Sequence, residues 1–586
     1  MATSDAMRLA RTVTQLKPAQ LGHRVRLRGQ RAALNKVPVT RRWLLAGPHP
    51  ETGTGWPAGY KPLDARVWRT WPGRILLREG TMSLLGTARE LAPSQDGGDP
   101  ADRWASAGWD VPDAPLLWRY HLYYWDWAWS LAGQRSRATA RELFASMWRS
   151  WHAAITPGRG PAWLPYPVAL RAWSFCGLYD ALVSGSEIEP EFRAELAAHA
   201  GFLRRNLETD VGGNHLIKNL KALAGLAVFF GDDRLLTGTL DRLTGQLSVQ
   251  VLPDGGHYER APAYHCQVLG DLIDVAGLLA ATGQETPAGL TAAIGSMRAW
   301  LGAVLGPDGG VPLLNDGFPV SRELVAALQP TAPPARPLHL LAETGLARAT
   351  AGRWDLLADV GLPCPAELPA HAHADTLTCV VQVDAKPLLI DTGTSTYAAG
   401  PVRDHERSTA AHNTVEIDGE NSTEVWGAFR AGRRARVDGL ATAVSAEVVT
   451  IEADHDGYRM LRGRPRHHRR WSLSEHGLRV DDEITGRGRH RVVLRWHITP
   501  SAQVTLRPGG ATVTTATAVF EVAVTADSQP DLTVSSTEVS AGQGWAGYGR
   551  TVAAPVLVCT LHPELPVRIS TVWRGPHPPN PPQELT

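Results

Sequence analysis

Up to about residue 350, Ala and Leu recur at the three-to-four-residue spacing of an amphipathic helix. That spacing predicts helices over 193–207, 215–230, 264–281 and 290–305. Gly231 and Gly283 stand where apolar runs stop, as befits a residue that closes a helix in the left-handed conformation. Stretches 252–256 and 306–316 break the pattern with Pro, Gly and Asp and predict loops. Helix pairs joined by such loops predict a helical barrel or toroid. Beyond residue 350 the period falls to two and β-branched residues increase. Strands are predicted at 377–391 (two, around Ala385-Lys386), 413–418, 434–438, 447–451, 470–473, 478–484, 491–498 and 518–524. Many short strands at this spacing point to an antiparallel sandwich. The proline-rich stretch 329–337 is the expected linker, and 575–582 an irregular tail.

A chain of 586 residues exceeds what one hydrophobic core supports, so two or three domains are expected. The net charge of +1 gives no pull toward nucleic acid, and none is expected as a partner. The first fifty residues differ. Arg8, Arg11, Lys17, Arg24, Arg26, Arg28, Arg31, Lys36, Arg41 and Arg42 stand against a single acid, Asp5. Such a stretch is either a solvated helix face or a contact for an anionic polymer or membrane surface. No stretch reaches the ~20 apolar residues of a membrane span. Residues 13–21 are interrupted by Thr14, Gln15, Lys17, Pro18 and Gln20, so no secretory core is seen. The expected location is the cytoplasm, or the periplasm or exterior if a leader precedes this sequence. The five cysteines are widely spaced and predict reduced, buried thiols. Tryptophan is abundant and densest in WRYHLYYWDWAW, 118–129. Aromatic faces stack on sugar C–H faces, which suits a carbohydrate cleft; the alternative is a helical core of large residues.

The string HAHAD, 371–375, concentrates candidate chemistry. On a strand, His371 and His373 would share one face. Asp391 and His412 could close around them from neighbouring strands. Mixed imidazole and carboxylate donors suit zinc or a related divalent ion. The alternative is a histidine-bearing strand packed on ordinary core. Further clusters are VGGNHLIKNLKAL (211–223), DGGHYERAPAYH (254–265), LLNDG (313–317), LLIDTGTSTY (388–397) and RDHERSTAAHNTVEIDG (403–419). Asn214 follows a Gly-Gly break, where an asparagine also serves as a helix cap.

The order of these clusters resembles the heparinase II/III-like polysaccharide lyases, the group that includes heparin, heparan sulfate and some alginate lyases. The likeness is carried by HAHADTLT, LLIDTGTSTY and RSTAAHNTVEIDG, and extends through WSLSEHGLRVDDEITGRGRHRVVLRWH (471–497) and GWAGYGR (544–550). LWRYHLYYWDW, WLPYPVALRAW, GNHLIKNLKAL and DGGHYERAPAYH continue it in the first half.

The resemblance implies an α+β multidomain fold: an N-terminal (α/α) toroid of helix pairs over 1–345, then a C-terminal antiparallel β-sandwich over 346–586. It implies a carbon–oxygen lyase that cleaves a uronate-containing acidic polysaccharide by β-elimination between the two domains. The C5 proton next to a carboxylate must be removed, the carboxylate neutralised and the departing O4 protonated. Positioned acid–base groups contribute ~10²–10⁴-fold to such a step. Asn214 matches the residue that contacts the uronate carboxylate, with His215 its rival. Tyr264 matches the catalytic tyrosine, as base, acid or both, and His371 the second acid–base group. His373, Asp391 and His412 resemble the set that holds a divalent metal ion, zinc or else calcium or manganese. Arg171, Arg260, Trp163 and His265 are the expected sugar contacts, ion pairing within the protein being the alternative for the arginines. A phenol titrates near pH 10, and Arg260 or His265 nearby would lower it. Other readings are a uronate C5-epimerase, a non-catalytic carbohydrate-binding protein of surface-polysaccharide assembly, and a metal-dependent hydrolase.

Overall fold

The structure, a computed structural model, describes residues 2–68, 71–92, 100–134, 136–527, 532–542 and 551–577. Three helices open the chain: α1 (Ala2–Val13), α2 (Pro18–Lys36) and α3 (Pro38–Leu45). A helical body follows, with long helices Arg137–Ala154, Pro165–Leu178, Glu189–Arg205, Gly213–Phe230, Asp233–Gln250, Pro262–Ala281 and Ala288–Val304. The four predicted helices are among them, each within a few residues of its expected ends. Gly213–Phe230 is apolar on nearly every side, and it is central: it packs on Pro165–Leu178, Asp233–Gln250 and Pro262–Ala281. Gly231 closes it at φ 65°, where a side chain would be strained.

The tryptophans from 104 to 173 belong to this core. Trp104, Trp109, Trp118, Trp125, Trp127 and Trp151 are fully buried, and Trp109 stacks on Trp125 with centroids 5.2 Å apart. The five cysteines are buried and free. A hairpin, Thr81–Leu84 with Thr87–Glu90, interrupts the helical half and was not signalled by the sequence.

The β region opens at Leu338. A five-stranded antiparallel sheet runs in chain order from Leu338–Leu341 through Leu346–Ala351, Trp354–Asp359 and Cys379–Val383 to Lys386–Leu389. An eight-stranded sheet, a four-stranded sheet and a small two-stranded one, Val425–Trp426 with Arg430–Ala431, accompany it. Trp354, Val381, Trp471, Trp496 and Trp573, drawn from the three larger sheets, share one core. The predicted strands all appear with shifted ends, for instance Arg466–Ser474 around 470–473. Of the expected tail, 575–577 continue the last strand, Val567–His577. The rest of the tail and the motif 544–550 lie outside the described residues.

One local expectation fails. HAHAD is not a strand: 371–375 form an irregular loop after Pro365 and Pro369. Its backbone is fixed by turns, Ala372 N–H to Pro369 O and Thr378 N–H to Asp375 O, and by Ala374 N–H to Arg407 O. A separate cluster of Trp300, Val304, Leu314, Leu346 and Leu357 joins the helical half to the sheets. Burying each of these side chains stabilises by about 1.5–3 kcal/mol, which holds the two halves in fixed register.

Candidate active site

Irregular segments from both halves meet at this junction. The first turn of Gly213–Phe230 carries Asn214 and His215. The turn before Pro262–Ala281 carries Glu259, and that helix's first turn carries Tyr264. Asn315 and Asp316 come from the 306–317 loop, His371 and His373 from the HAHAD loop. The sheet side adds Tyr397 and Arg403, the latter on the short helix Pro401–Glu406.

Asp316 is the hub. Its Oδ2 lies 3.0 Å from His371 Nδ1 and its Oδ1 2.9 Å from His373 Nε2. Arg403 clamps both oxygens, Nη2 donating to Oδ2 at 2.8 Å. Asn315, at φ 56°, adopts the left-handed backbone that asparagine tolerates, accepts from the His373 N–H and donates to the Arg260 carbonyl. The other nitrogen of His371, Nε2, is 2.9 Å from Glu259 Oε2. Glu259 in turn accepts from the Asn214 N–H at 2.6 Å and from its Nδ2 at 3.0 Å. Asn214, Glu259, His371, Asp316 and Arg403 thus form one continuous buried chain.

Burial opposes charge on His371, but hydrogen bonds to Asp316 and Glu259 outweigh it and raise the imidazole to about 9. Burial would likewise raise Glu259, yet His371 holds it down to about 2. Burial drives His373 down to about 4, so it is neutral. His371 is therefore an imidazolium between two carboxylates.

Tyr264 lies on this imidazolium, ring centroids 3.8 Å apart and planes 27° from parallel. Its hydroxyl is 3.1 Å from that of Tyr397, whose ring sits under the Arg403 guanidinium. Burial, followed by Tyr397 and Asp316, pushes the Tyr264 phenol well above 10. This is opposite to the expectation that Arg260 or His265 would lower it. Neither cation is available: Arg260 Nη1 donates to the Thr344 carbonyl, and burial holds His265 neutral, down to about 3.

Other expected residues fall elsewhere. Arg171 is fully buried and donates to the carbonyls of Tyr123 and Ala162, both at 3.0 Å, beside His199 and Glu195. Trp163 packs on Arg171, His199 and Phe202 within the helical core. His265 is buried, stacked on Trp300 at 4.2 Å, with Nε2 on the Met297 carbonyl and Nδ1 accepting from the His257 N–H. Arg171, Trp163 and His265 are thus each enclosed by core contacts. Arg260 braces the 315–316 turn through its carbonyl, which accepts from Asn315, and its Nη1 is tied to the Thr344 carbonyl. Asn214 is not a cap: Gly212 holds that position. His215 is half-exposed at the rim, its ring 4.2 Å from Tyr166 and its Nδ1 3.2 Å from Glu208.

His412 Nδ1 lies 2.8 Å from Asp391 Oδ2, and its ring centroid is 5.3 Å from that of His373. Among the described residues no three His, Cys, Asp or Glu side chains converge as a metal cage. Buried donor atoms are nevertheless orphaned here: His373 Nδ1, His412 Nε2 and both oxygens of Asp375 lack hydrogen-bond partners. Burial raises Asp375 to about 6. Imidazole nitrogens and carboxylate oxygens without partners are the donor chemistry a divalent ion takes.

The sequence reading passed over Glu259, Asp316, Arg403 and Tyr397 as site members. Each stands inside a motif it had singled out, DGGHYERAPAYH, LLNDG, RDHERSTAAHN and LLIDTGTSTY.

Two family models match in tandem, heparinase II/III N-terminus over residues 109–332 and heparinase II/III-like, C-terminal over 333–570. The chain belongs to the heparinase II/III-like family. Its helical region followed by antiparallel sheets matches the crystal structure of heparinase III, at TM-score 0.73 and 16% identity over 94% of this chain and 92% of that one. A heparan sulfate lyase mutant from Pedobacter heparinus matches at TM-score 0.61 and 15% identity over 96% and 90%. In sequence, the FtsZ-localized protein C of Caulobacter vibrioides is 25% identical over 509 residues, 81% of this chain and 84% of that protein. Among the described residues no helix is long and apolar enough to cross a membrane.

Proposed function

We propose that this family member is a polysaccharide lyase that cleaves a uronate-containing acidic polymer by β-elimination. The observation that carries the reading is the stack of Tyr264 on His371, two acid–base groups from opposite halves of the chain. Tyr264 keeps its proton at neutral pH, because its surroundings push it well above 10. It is therefore the donor to the leaving O4. In the fraction of molecules whose His371 has given its Nε2 proton to solvent, that nitrogen takes the C5 proton. The C5–H pair forms the C4–C5 double bond, the C4–O4 bond breaks, and O4 receives the Tyr264 proton. An imidazole held near 9 is a stronger base than a free one, although only about 1% is unprotonated at pH 7. Asn214, whose Nδ2 lies 3.5 Å from His371 Nε2 and donates to Glu259 at 3.0 Å, is the proposed contact for the uronate carboxylate once that amide turns from Glu259 to the substrate.

A divalent ion, zinc or else calcium or manganese, is proposed for His373, Asp391 and His412. The orphaned nitrogens and the unpartnered Asp375 beside them support it. Such an ion would neutralise surplus buried carboxylate.

The FtsZ-localized relative favours a second reading, a localised binding protein that holds a carbohydrate without cutting it. Incubation with heparan sulfate, chondroitin sulfate and alginate separates the readings. A lyase generates the ultraviolet absorbance of an unsaturated uronate. An epimerase alters the uronate ratio without cleavage. Affinity for a polymer with neither change supports the binding reading and overturns the lyase.

A further inference from the structure

The first three helices precede both family matches, and two of them are built inside out. On α1, Arg8, Arg11 and Thr12 face the body of the protein. Arg11 Nε donates to Glu424 at 2.8 Å, Arg8 lies 3.7 Å from the same carboxylate, and Thr12 Oγ1 accepts from Trp426 Nε1 at 3.1 Å. The opposite face, Ala6, Leu9, Ala10 and Val13, is exposed to solvent. On α2, Gln20, Arg24 and Leu27 turn inward. Gln20 reaches the Glu367 carbonyl and Arg24 lies 3.8 Å from Asp210. Leu21, Gly22, Val25, Gly29 and Ala32 turn outward, Val25 being 72% exposed. A helix resting on a soluble protein normally does the reverse, burying its apolar stripe and wetting its polar one. Single exposed apolar residues are ordinary, but a whole outward face on each of two successive helices is not.

Charge narrows the occupant. Exposed Arg26 and Arg28 flank the apolar stripe of α2, and α3 adds exposed Arg42 and Trp43. An acidic polysaccharide would use the arginines but leave Leu9, Val13, Leu21 and Val25 wet. A second copy would cover the apolar face but bring like arginines together. An anionic bilayer satisfies both, taking apolar side chains below the headgroups and guanidinium groups at them.

We propose that α1–α3 dock the protein on an anionic lipid surface, lying in the interface with the outward faces of α1 and α2 inserted. Of these, α1 and α2 are pinned to Asp210 of the helical half and to Glu367 and Glu424 of the sheet half, so docking leaves the folded body intact.

The test is co-sedimentation of the full chain with vesicles of phosphatidylcholine alone and of phosphatidylcholine with phosphatidylglycerol. Partition into the anionic vesicles is stronger on the order of tenfold or more at low salt, and falls at high salt. Leu21→Glu with Val25→Glu lowers it on the order of tenfold with an unchanged circular dichroism spectrum, since both side chains are exposed. Leu21→Ser with Val25→Ser is the milder pair if the acidic one does not fold. Arg26→Glu with Arg28→Glu abolishes the preference for phosphatidylglycerol. Failure to sediment with either vesicle, or indifference to all these changes, overturns the proposal. So does a concentration-dependent dimer, without vesicle binding, that the Leu21 and Val25 changes dissolve, because the face then belongs to a second copy. Retention on immobilised heparin without vesicle binding overturns it too, in favour of an acidic polymer.

Discussion

The phenol ring of Tyr264, from the helical half, lies flat on the imidazole of His371, from the loop leading into the sheets, with centroids 3.8 Å apart. Tyr264→Phe removes one hydroxyl and keeps the stack. Turnover should fall ~10²–10⁴-fold while polymer affinity and the melting temperature stay put. Unsaturated-uronate absorbance and thermal denaturation of the same preparation check this, and full turnover in the variant removes Tyr264 from the reaction.

His371 sets the pH dependence. As the base it must lose a proton held to about 9, so kcat/KM should climb roughly tenfold per unit of pH from 6 and level off near 9. The opposite role, an imidazolium that neutralises the uronate carboxylate, gives a rate that falls above about 9. A pH–rate profile decides between them.

Asp316 maintains that proton on His371. The folded value is raised from 6.5, so the stabilisation this imidazolium provides is complete below 6.5 and is lost as pH rises through about 9. A shift of this size corresponds to something on the order of 3 kcal/mol. In Asp316→Asn one of the two anions is gone. The His371 value should fall, the alkaline loss of stability should begin at lower pH, and the fold should lose about 3–5 kcal/mol because Arg403 and His371 lose a common partner. Denaturant melts across pH 6–10 report all three; an alkaline limb unmoved by the substitution contradicts the linkage.

The proposed ion predicts a stoichiometric divalent metal in the purified protein by elemental analysis. Chelation should lower the melting temperature, and His412→Ala should abolish both the metal and the chelator effect. A metal-free protein whose melting temperature ignores chelator excludes the site. His412→Ala would then cost only what the 2.8 Å contact with Asp391 contributes, about 1–3 kcal/mol.

Much of the fold was legible because period is a local property. A helix such as Gly213–Phe230 and a strand such as Gly477–Thr485 announce themselves within a dozen residues. The hairpin at 81–90 has strands too short to establish a period, and it escaped. HAHAD was misread for a related reason: alternation over five residues also arises in a loop, and the partner that orients both histidines, Asp316, is more than fifty residues away in sequence. The site's hub is thus a tertiary fact. Asn214, Tyr264 and His371 were nameable through family likeness. Glu259 and Arg403 acquire meaning only when the loops close on one another.

Arg171 shows the converse, a residue whose chemistry suggests a sugar contact and whose surroundings give it another task. It lies at the centre of the helical body, donating to two carbonyls, with its guanidinium carbon 5.2 Å from the Trp151 ring and 5.6 Å from that of Trp163. Burial lowers even this guanidinium, to about 10, which reflects how dry the position is. Arg171→Ala leaves the Tyr123 and Ala162 carbonyls unpaired and Glu195 short of a cation, so a loss of about 3–5 kcal/mol is expected. Arg171→Lys should recover little, since a single ammonium cannot serve both carbonyls and also reach His199, as Nη1 and the Nε/Nη2 edge of the guanidinium do. If Arg171 is purely structural, the fraction that folds should show an unchanged KM. A selectively raised KM at wild-type stability would return Arg171 to the substrate site.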